Sequence, residues 1–323
     1  MQLTTAIDIA LFTDFLSEKG MLNPNEKIEK VEIPGEGNMN VVLRVITGHR
    51  SFIAKQSRPF VQKYQNIPAP IDRIGVEHSF YKTVQGSGID AHLPGLLGFL
   101  PEHYMLFLED LGQSEDMSFI YRKRSISDIH FNQLVSIAKG IHSSPITVDY
   151  PKNLELRKLN HQHIFVLPFL EDNGFSLDGI QVGLDALSLP FKTAKALKEK
   201  VEELGVLYLT TDGVLLHGDY YPGSWMAKAD DVYVLDPEFS YQGPLEFDLG
   251  VLVAHLCMAI GDTGFFDKVI GRYDGRPNVQ LVREFAGIEI IRRLIGLAQL
   301  PLDRTIGEKE QLLHLAERWV RGN

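Results

Sequence analysis

The spacing of apolar residues changes about a third of the way along the chain, and this change restricts the fold more than any other feature. Early segments such as VVLRVI and SFIAKQ alternate apolar and polar residues as strands do, with Gly-rich turns between them. A helix is expected in APIDRIGVEHSFYKTVQ and a further strand in YMLFLEDLG. Later segments carry apolar residues three and four positions apart, which is typical of helices: SISDIHFNQLVSIAKGIHSS, LPFKTAKALKEKVEELGVLYL, EFDLGVLVAHLCMAIG, VREFAGIEIIRRLIGLAQL and EKEQLLHLAERWVRG. A short β-rich patch, GVLLHGDYY and DDVYVLDPEFS, interrupts the helical part. The sequence therefore predicts an α+β protein with a small β-rich N-lobe, residues 1–110, and a larger mainly helical C-lobe, residues 111–323.

Composition limits the classes of partner. The chain has 323 residues, with 44% hydrophobic and 23% charged, as expected for a folded protein of two lobes. The net charge is -10 and no basic stripe stands out, which argues against nucleic-acid binding. No apolar run approaches the roughly 20 residues that cross a bilayer, and the acidic residues near the N-terminus do not fit a secretory signal. The one cysteine, Cys257, cannot form an intramolecular disulfide. We therefore expect a cytoplasmic protein without nucleic-acid or membrane partners.

Two features of the first part suggest a phosphate site. The turn PGEGNMN, with Gly35, Gly37 and Asn38, has the glycines that let backbone amides face phosphate oxygens, although a plain β-hairpin turn explains it equally well. Lys55 follows on a strand, and Glu77 lies on the next expected helix. A lysine on a strand is usually solvated, and a helix glutamate is usually exposed. A lysine held by such a glutamate can instead point its ammonium at nucleotide phosphates, as in protein kinases.

Two acidic strand exits follow in the second part. In HGDYYPGS, Asp219 leaves an apolar strand and could accept a proton from an attacking hydroxyl. In YVLDPEF, Asp236 and Glu238 are two positions apart, so that in an extended chain both carboxylates would share one face and could hold Mg²⁺. Each motif alone also fits an ordinary turn, and His217 fits a structural histidine. Their order along the chain favours phosphoryl transfer.

This order resembles the aminoglycoside phosphotransferase and choline kinase group of protein-kinase-like enzymes, and within it is similar to the 5-methylthioribose kinase branch. The matching stretches run from near residue 35 to near residue 300: GEGNMNVVLRV, AKQSRPFVQKY, PIDRIGVEH, LEDL, HGDYYPGS, DPEFSYQGPLEFDLG and FAGIEIIRRLIGLAQL. HGD marks the wide superfamily, whereas the DPEF run and RRLIGLA are more specific to that branch.

The resemblance implies a two-lobed protein-kinase-like fold that uses ATP and Mg²⁺. Asp219 would be the catalytic base and Asp236 and Glu238 would hold the metal. The residues that would bind the nucleotide are Lys55 steadied by Glu77 at the phosphates, the turn of Gly35, Gly37 and Asn38 above them, and the backbone of Glu109 and Asp110 at the adenine. A homodimer is also implied.

The acceptor side is where the resemblance is least regular. Arg292 and Arg293 would face sugar hydroxyls, although paired arginines on a helix are usually solvated. Asp248 would brace the catalytic loop.

Ser224 stands where many relatives have a metal-binding Asn, but the 5-methylthioribose kinase branch also places a small hydroxyl residue there. Glu238 would then supply the missing oxygen, and Ser224 would bind a metal-held water. Tyr220 and Tyr221, with Pro222, replace the Leu-His-Thr usual in that branch, and we expect both tyrosines to shape the acceptor pocket.

Three hypotheses follow. The first is an ATP-dependent kinase that phosphorylates a hydroxyl of 5-methylthioribose or a related sugar. The second is a phosphotransferase for an amino sugar or an amino alcohol such as choline, with the two tyrosines in an aromatic cage. The third is a nucleotide-binding pseudokinase that regulates a partner. The presence of Lys55, Asp219, Asp236 and Glu238 argues against it.

Overall fold

A computed structural model of the protein describes residues 1–35, 39–147 and 149–322. The chain divides into two compact units, Met1–Gln113 and Ser114–Asn323. The first contains an antiparallel sheet and the second consists mainly of helices, which confirms the α+β fold class. The functions expected for the two lobes of residues 1–110 and 111–323 stay predictions.

The first unit is built on a five-stranded antiparallel sheet with the order β1-β2-β3-β7-β6, beside a small β4-β5 hairpin. Its strands are β1 (Ile28–Glu32), β2 (Val41–Thr47), β3 (Ser51–Gln56), β4 (Phe60–Val61), β5 (Tyr64–Pro68), β6 (Leu96–Leu100) and β7 (Met105–Glu109). In β2 every second residue is buried at Leu43, Val45 and Thr47, the period expected of a strand with one face on the core. Strand β3 lies between β2 and β7, which places its residues at the centre of the sheet.

Two helices belong to this unit. The first, α1 (Ile9–Glu18), begins after Asp8, whose side chain accepts hydrogen bonds from the first-turn amides of Ala10 and Leu11. The second, α2 (Arg73–Val84), lies within the segment expected to be helical. Phe12 and Leu16 of α1 join the core formed by the strands.

Helices make up most of the second unit. These are α3 (Ile120–Lys123), α4 (Asp128–Ser143), α5 (Leu154–His161), α6 (Leu184–Thr193), α7 (Lys195–Tyr208), α8 (Glu246–Ile260), α9 (Phe265–Tyr273), α10 (Val279–Ile295) and α11 (Ile306–Arg321). Helix α10 packs against α8 and α11 and is buried at almost every position of its last three turns. Polar residues in those turns are therefore enclosed by protein.

Short strands position the two acidic loops of this unit. They are β8 (Glu115–Asp116), β9 (Val214–Leu216), β10 (Trp225–Lys228), β11 (Asp231–Val234) and β12 (Tyr241–Gly243). The antiparallel pairs are β8 with β10, β10 with β11, and β9 with β12. The strand β9 ends at HGD and β11 ends just before DPE, as the apolar runs predicted.

Some elements differ from the sequence-based expectation. The run LPFKTAKALKEKVEELGVLYL, expected to be one helix, is divided because Ala194 is extended between α6 and α7. The sequence pattern did not predict a structure for the segment from α5 to Phe169. Helix α5 is followed there by a π-helical turn, Gln162–Val166, and a 3₁₀ turn, Leu167–Phe169. Across the described ranges, none of the helices has the length and apolar character needed to cross a membrane.

Candidate active site

The loop that carries Asp219 is held by a buried carboxylate on the next long helix. Asp248, in the first turn of α8, accepts hydrogen bonds from the backbone amides of His217 (2.7 Å) and Gly218 (3.0 Å). His142 Nε2 lies 3.3 Å from the same carboxylate. Charge-assisted bonds to two successive amides fix the backbone of the loop, which confirms the bracing role expected of Asp248.

His217 joins the two acidic loops to each other. Its Nε2 lies 2.9 Å from the carbonyl oxygen of Leu235, the residue before Asp236, and this contact requires Nε2 to be the donor. Its Nδ1 then accepts from the amide of Asp219 at 3.3 Å. The amide of Leu235 in turn donates to the carbonyl of Ser224 at 2.9 Å. The HGD and DPE motifs, seventeen residues apart from Asp219 to Asp236, are therefore neighbours in space.

Asp219 is a carboxylate in a largely enclosed position. Its side chain is 24% exposed, and Arg293 Nη2 lies 3.7 Å from its Oδ1. Burial raises the pKa of Asp219 to about 6, while the charges of Arg293 and Arg292 oppose the rise and those of Glu289 and Glu238 add to it. A carboxylate with such a pKa is suited to accept a proton near neutral pH.

The two arginines of α10 are buried, in contrast to the solvated alternative for such a pair. Both keep 6% of their surface exposed. Arg293 Nε donates to Glu289 at 2.7 Å, and Arg292 Nη1 lies 3.4 Å from the other oxygen of that carboxylate. The guanidinium of Arg293 lies 4.7 Å from the ring centre of Tyr221. The structure thus brings Arg293, Tyr221 and Asp219 together, with Arg292 beside them.

The two tyrosines after Asp219 have different environments. Tyr221 packs on Arg293 and also on His255, with ring centroids 5.3 Å apart. Tyr220 is fully buried, and its hydroxyl donates to the carbonyl of Leu134 at 2.7 Å. Its ring packs against Trp225 and His217 in the core of the unit. This corrects the expectation that both tyrosines shape an acceptor pocket, since the buried Tyr220 side chain has no surface to offer one.

The residues expected to hold a metal come from adjacent turns, but the geometry differs from an extended strand exit. Asp236 is left-handed (φ 59°) and opens the 3₁₀ turn Pro237–Phe239. Asp236 is consequently exposed whereas Glu238 is buried, so the inference that both share one face of an extended chain is wrong. Ser224 is buried at the end of the 3₁₀ turn Pro222–Ser224.

The donor chemistry of these residues still fits a hard cation, because carboxylate and hydroxyl oxygens are its usual ligands. The charge of Glu238 contributes to the raised pKa of Asp219, and that of Asp236 contributes, after burial, Asp219 and Asp116, to the raised pKa of Tyr221. Both carboxylates are therefore within electrostatic range of the HGD loop. Among the residues that the structure describes, no three His, Cys, Asp or Glu side chains gather as a ready metal cage.

In the first unit, Lys55 and Glu77 form the expected ion pair. Lys55 Nζ on β3 lies 2.7 Å from Glu77 Oε2 on α2, and the two side chains are 4% and 0% exposed. A buried pair of this kind holds the lysine in one orientation. The expectation that Glu77 steadies Lys55 is confirmed, while the contact of Lys55 with phosphates stays a prediction.

The other residues expected at the nucleotide are only partly accounted for. Gly35 lies in a bend, while Gly37 and Asn38 lie outside the described residues. Glu109 donates its amide to the carbonyl of Gly95 (2.8 Å), so that amide is already engaged. Asp110 pairs with Arg44 Nε at 2.9 Å and accepts from the amide of Gly112 at 3.1 Å.

Three buried residues beside Arg293 were not singled out from the sequence: Glu289, His255 and Tyr121. Glu289 precedes the arginines by three and four positions, a spacing that places all three side chains on one face of a helix. That spacing was a usable signal for Glu289. His255, in the apolar run VLVAHLCMAI, had no such signal.

Taken together, the buried Lys–Glu pair of an antiparallel sheet, the braced HGD loop and the neighbouring DPE turn define the class of protein-kinase-like phosphotransferases. Residues 30–285 match the model of the phosphotransferase enzyme family. The chain belongs to this family.

Relatives and solved structures agree with this assignment. A methylthioribose kinase from Exiguobacterium sibiricum is 29% identical, with 85% of this chain and 81% of that protein covered. A methylthioribose kinase from Bacillus cereus is 24% identical, with 98% and 92% covered. A spectinomycin phosphotransferase in complex with ADP and spectinomycin has a TM-score of 0.57 at 14% identity, with 98% of both chains covered. The choline kinase LicA from Streptococcus pneumoniae has a TM-score of 0.54 at 13% identity, covering 97% of this chain and 99% of that one. At these identities the structural likeness concerns the fold, which is the expected protein-kinase-like fold.

Proposed function

We propose that this chain is an ATP- and Mg²⁺-dependent kinase that phosphorylates a hydroxyl of 5-methylthioribose or a related pentose. The observation that carries the proposal is the position of the Arg293 guanidinium, 3.7 Å from the carboxylate of Asp219. Its neighbour in sequence, Arg292, is a second buried arginine. The relatives named methylthioribose kinase support the same acceptor, since their similarity extends over most of this chain.

The charge of the acceptor distinguishes this proposal from its alternative. Guanidinium groups donate hydrogen bonds and have no acceptor atoms, so they bind neutral hydroxyls or anions. The cationic nitrogen of choline or of an aminoglycoside has no lone pair to accept a hydrogen bond, so the buried Arg292 and Arg293 could not hydrogen-bond to it. An aromatic cage from both tyrosines is also weakened, because Tyr220 is committed to the core. A neutral sugar therefore fits better than choline or an amino sugar.

In the proposed reaction, Asp219 orients the acceptor hydroxyl and receives its proton. The hydroxyl oxygen forms a bond to the γ-phosphorus of ATP while the bond from that phosphorus to the β–γ bridging oxygen breaks, which releases ADP. The rate enhancement comes mainly from positioning and charge neutralisation. Arg293 would hold the acceptor beside Asp219, and the cation–π contact with the ring of Tyr221 would help to hold Arg293.

Nucleotide and metal have separate ligands in this proposal. Lys55, held by Glu77, would contact the phosphates, with the turn at Gly35 covering them and the chain at Glu109 and Asp110 meeting the adenine. Asp236 and Glu238 would hold Mg²⁺, with Ser224 next to them. Mg²⁺, when bound, neutralises charge on the transferred phosphoryl group. A cytoplasmic location, where ATP is available, goes with this chemistry, and a homodimer stays a prediction.

A panel of acceptors tests the proposal. ADP release would be followed with 5-methylthioribose, ribose, choline and an aminoglycoside, each at equal concentration and with Mg-ATP. We expect the highest kcat/KM with 5-methylthioribose and none above background with choline. A higher kcat/KM with a cationic acceptor would favour the alternative. Mg-ATP binding without a product from any acceptor would favour a pseudokinase.

A further inference from the structure

A series of hydrogen-bonded, buried polar side chains begins at Arg293 Nε. Glu289 Oε1 accepts from Arg293 Nε at 2.7 Å and also lies 2.9 Å from His255 Nε2. His255 Nδ1 lies 2.6 Å from the hydroxyl of Tyr121. His255 is fully buried, Tyr121 is 1% exposed and Glu289 is 2% exposed. These side chains connect α3, α8 and α10 by hydrogen bonds.

The donor and the acceptor can be assigned for each hydrogen bond in this series of side chains. Glu289 is ionised, because the charges of Arg292 and Arg293 hold its pKa well below the usual range even though burial acts to raise it. An ionised carboxylate only accepts, so His255 Nε2 must carry the proton that it shares with Glu289. His255 is neutral, since burial lowers its pKa to about 4. Its Nδ1 is then the acceptor, and the Tyr121 hydroxyl is the donor.

Glu289 is placed to control both guanidinium groups. It precedes Arg292 and Arg293 by three and four positions, so one carboxylate reaches both arginines from the same face of α10. For Arg293, the bond at Nε fixes one edge of the guanidinium plane, while the guanidinium carbon lies over the ring of Tyr221. The Nη2 group is thereby directed toward Asp219.

We propose that Glu289 is a positioning residue that orients Arg293 and Arg292 toward the acceptor beside Asp219, and that His255, with Tyr121 behind it, orients Glu289. The inference rests on the proposed function, in that the two arginines bind the acceptor. Glu289, His255 and Tyr121 act through the arginines and do not touch acceptor or nucleotide.

Glu289→Gln is the first test, because it removes the charge and keeps the shape of the side chain. We expect the KM for the acceptor to rise on the order of 10- to 100-fold, while the KM for Mg-ATP stays within about twofold. Glu284→Gln is the matched control, since Glu284 is also a largely buried glutamate of α10 but pairs with Lys200 at 3.4 Å. That variant should keep both KM values.

A second pair of variants tests His255 independently of how well Glu289→Gln folds. The amide of His255→Gln can donate from about the position of the imidazole Nε2, whereas His255→Leu cannot donate. We expect the acceptor KM of His255→Gln to lie near the wild-type value and that of His255→Leu to lie well above it, at matched fractions of folded protein.

The outcomes separate this inference from the proposed function. Equal acceptor KM values in His255→Gln and His255→Leu would overturn the positioning role. A folded Glu289→Gln with a wild-type acceptor KM, or with equal rises in both KM values, would overturn it as well. If the wild-type enzyme prefers another acceptor, the same comparison is made with that acceptor. A wild-type enzyme that phosphorylates no acceptor would contradict the proposed function, and this role with it.

Discussion

Opposing effects set the pKa of the largely enclosed Asp219 carboxyl close to neutral pH. Burial raises its pKa to about 6, against the attraction of Arg293 and Arg292. The carboxyl of Asp219 is thus mainly ionised above pH 6, although burial makes its ionised form less favourable than it would be in water. A residue under this kind of electrostatic cost is typical of a functional site.

Replacing this carboxylate should separate catalysis from stability. Asp219→Asn removes the proton acceptor, and we expect kcat to fall by roughly 10²- to 10⁴-fold with Mg-ATP binding retained. Because the pKa is raised on folding from its ordinary value of 3.8 to about 6, ionisation of Asp219 weakens the folded state as pH rises through 6. The variant should therefore unfold at the wild-type temperature or above it at pH 8. Near-wild-type ADP release, measured with a coupled assay, would remove Asp219 from the role of base.

The activity of the wild-type enzyme should depend on pH in a defined direction. Only the ionised form of Asp219 can accept a proton, so kcat/KM should decline as pH falls through about 6 and level off above it. Arg293→Gln serves as the control, because losing a cation that lowers this pKa should shift the decline to higher pH. A profile that is flat to pH 5, or one that Arg293→Gln leaves in place, would contradict the assignment.

The Lys55–Glu77 pair offers a test of nucleotide binding. Lys55→Met removes the ammonium from a pair that is 2.7 Å apart and buried, and we expect the KM for Mg-ATP to rise at least about tenfold. Lys82→Met, which alters an exposed lysine on α2, is the matched control and should keep the wild-type KM. An unchanged affinity for ATP in Lys55→Met, measured by calorimetry, would exclude the predicted contact.

Single residues were predictable where the sequence carried a relation between two of them. Lys55 with Glu77, and Asp248 with the HGD loop, are such relations, and the structure contains both contacts. Tyr220 was misplaced because two adjacent tyrosines give no sign of which one turns into the core. His255 was missed because a histidine in an apolar helix is usually structural, and its partners come from two other helices.

At the scale of elements, the HGD loop depends on a close backbone approach. Gly218 has a positive φ of 83°, and a Cβ there would stand 2.2 Å from the carbonyl oxygen of Phe239, beside the DPE turn. Only glycine combines this conformation with that contact. The glycine of HGD is thus required by the packing of the two loops.

Gly218→Ala should therefore damage both stability and activity. We expect a loss of about 3 kcal/mol or more in the free energy of unfolding, from backbone strain together with a clash against main chain. Gly271→Ala on α9 is the control, since its Cβ would meet nothing within 4 Å and it has no positive φ. It should be neutral or stabilising by about 0.5–1 kcal/mol. Denaturant titration of both variants measures the difference, and equal stabilities would contradict the account of the loop.

Element types were predictable from periodicity, whereas interruptions were not. The alternation in β2 and β3 and the helical spacing in α8, α10 and α11 gave elements of the expected type. One extended residue, Ala194, separates α6 from α7, although the helical spacing of apolar residues continues across it. The DPE segment was read as extended because it follows a strand, but the left-handed Asp236 turns it into a 3₁₀ turn.

At the scale of the whole molecule, the order of motifs was more informative than any one of them. A Gly-rich turn, a strand lysine, a helix glutamate, HGD and DPE follow one another along the chain, and the model of the phosphotransferase enzyme family covers residues 30–285. The proposed acceptor site is harder to predict, since its two arginines contact buried side chains that come from α3, α8 and α10. Such tertiary relations have no local signal in the sequence.

We propose that the Asp219 site transfers a phosphoryl group from ATP to 5-methylthioribose. The most direct measurement is mass spectrometry of the sugar after incubation with Mg-ATP and the wild-type enzyme, with ADP quantified in the same sample and Asp219→Asn run in parallel. We predict one phosphate per 5-methylthioribose, an equal amount of ADP, and neither product at a comparable rate with the variant. Unchanged 5-methylthioribose alongside a phosphorylated cationic acceptor would contradict the claim.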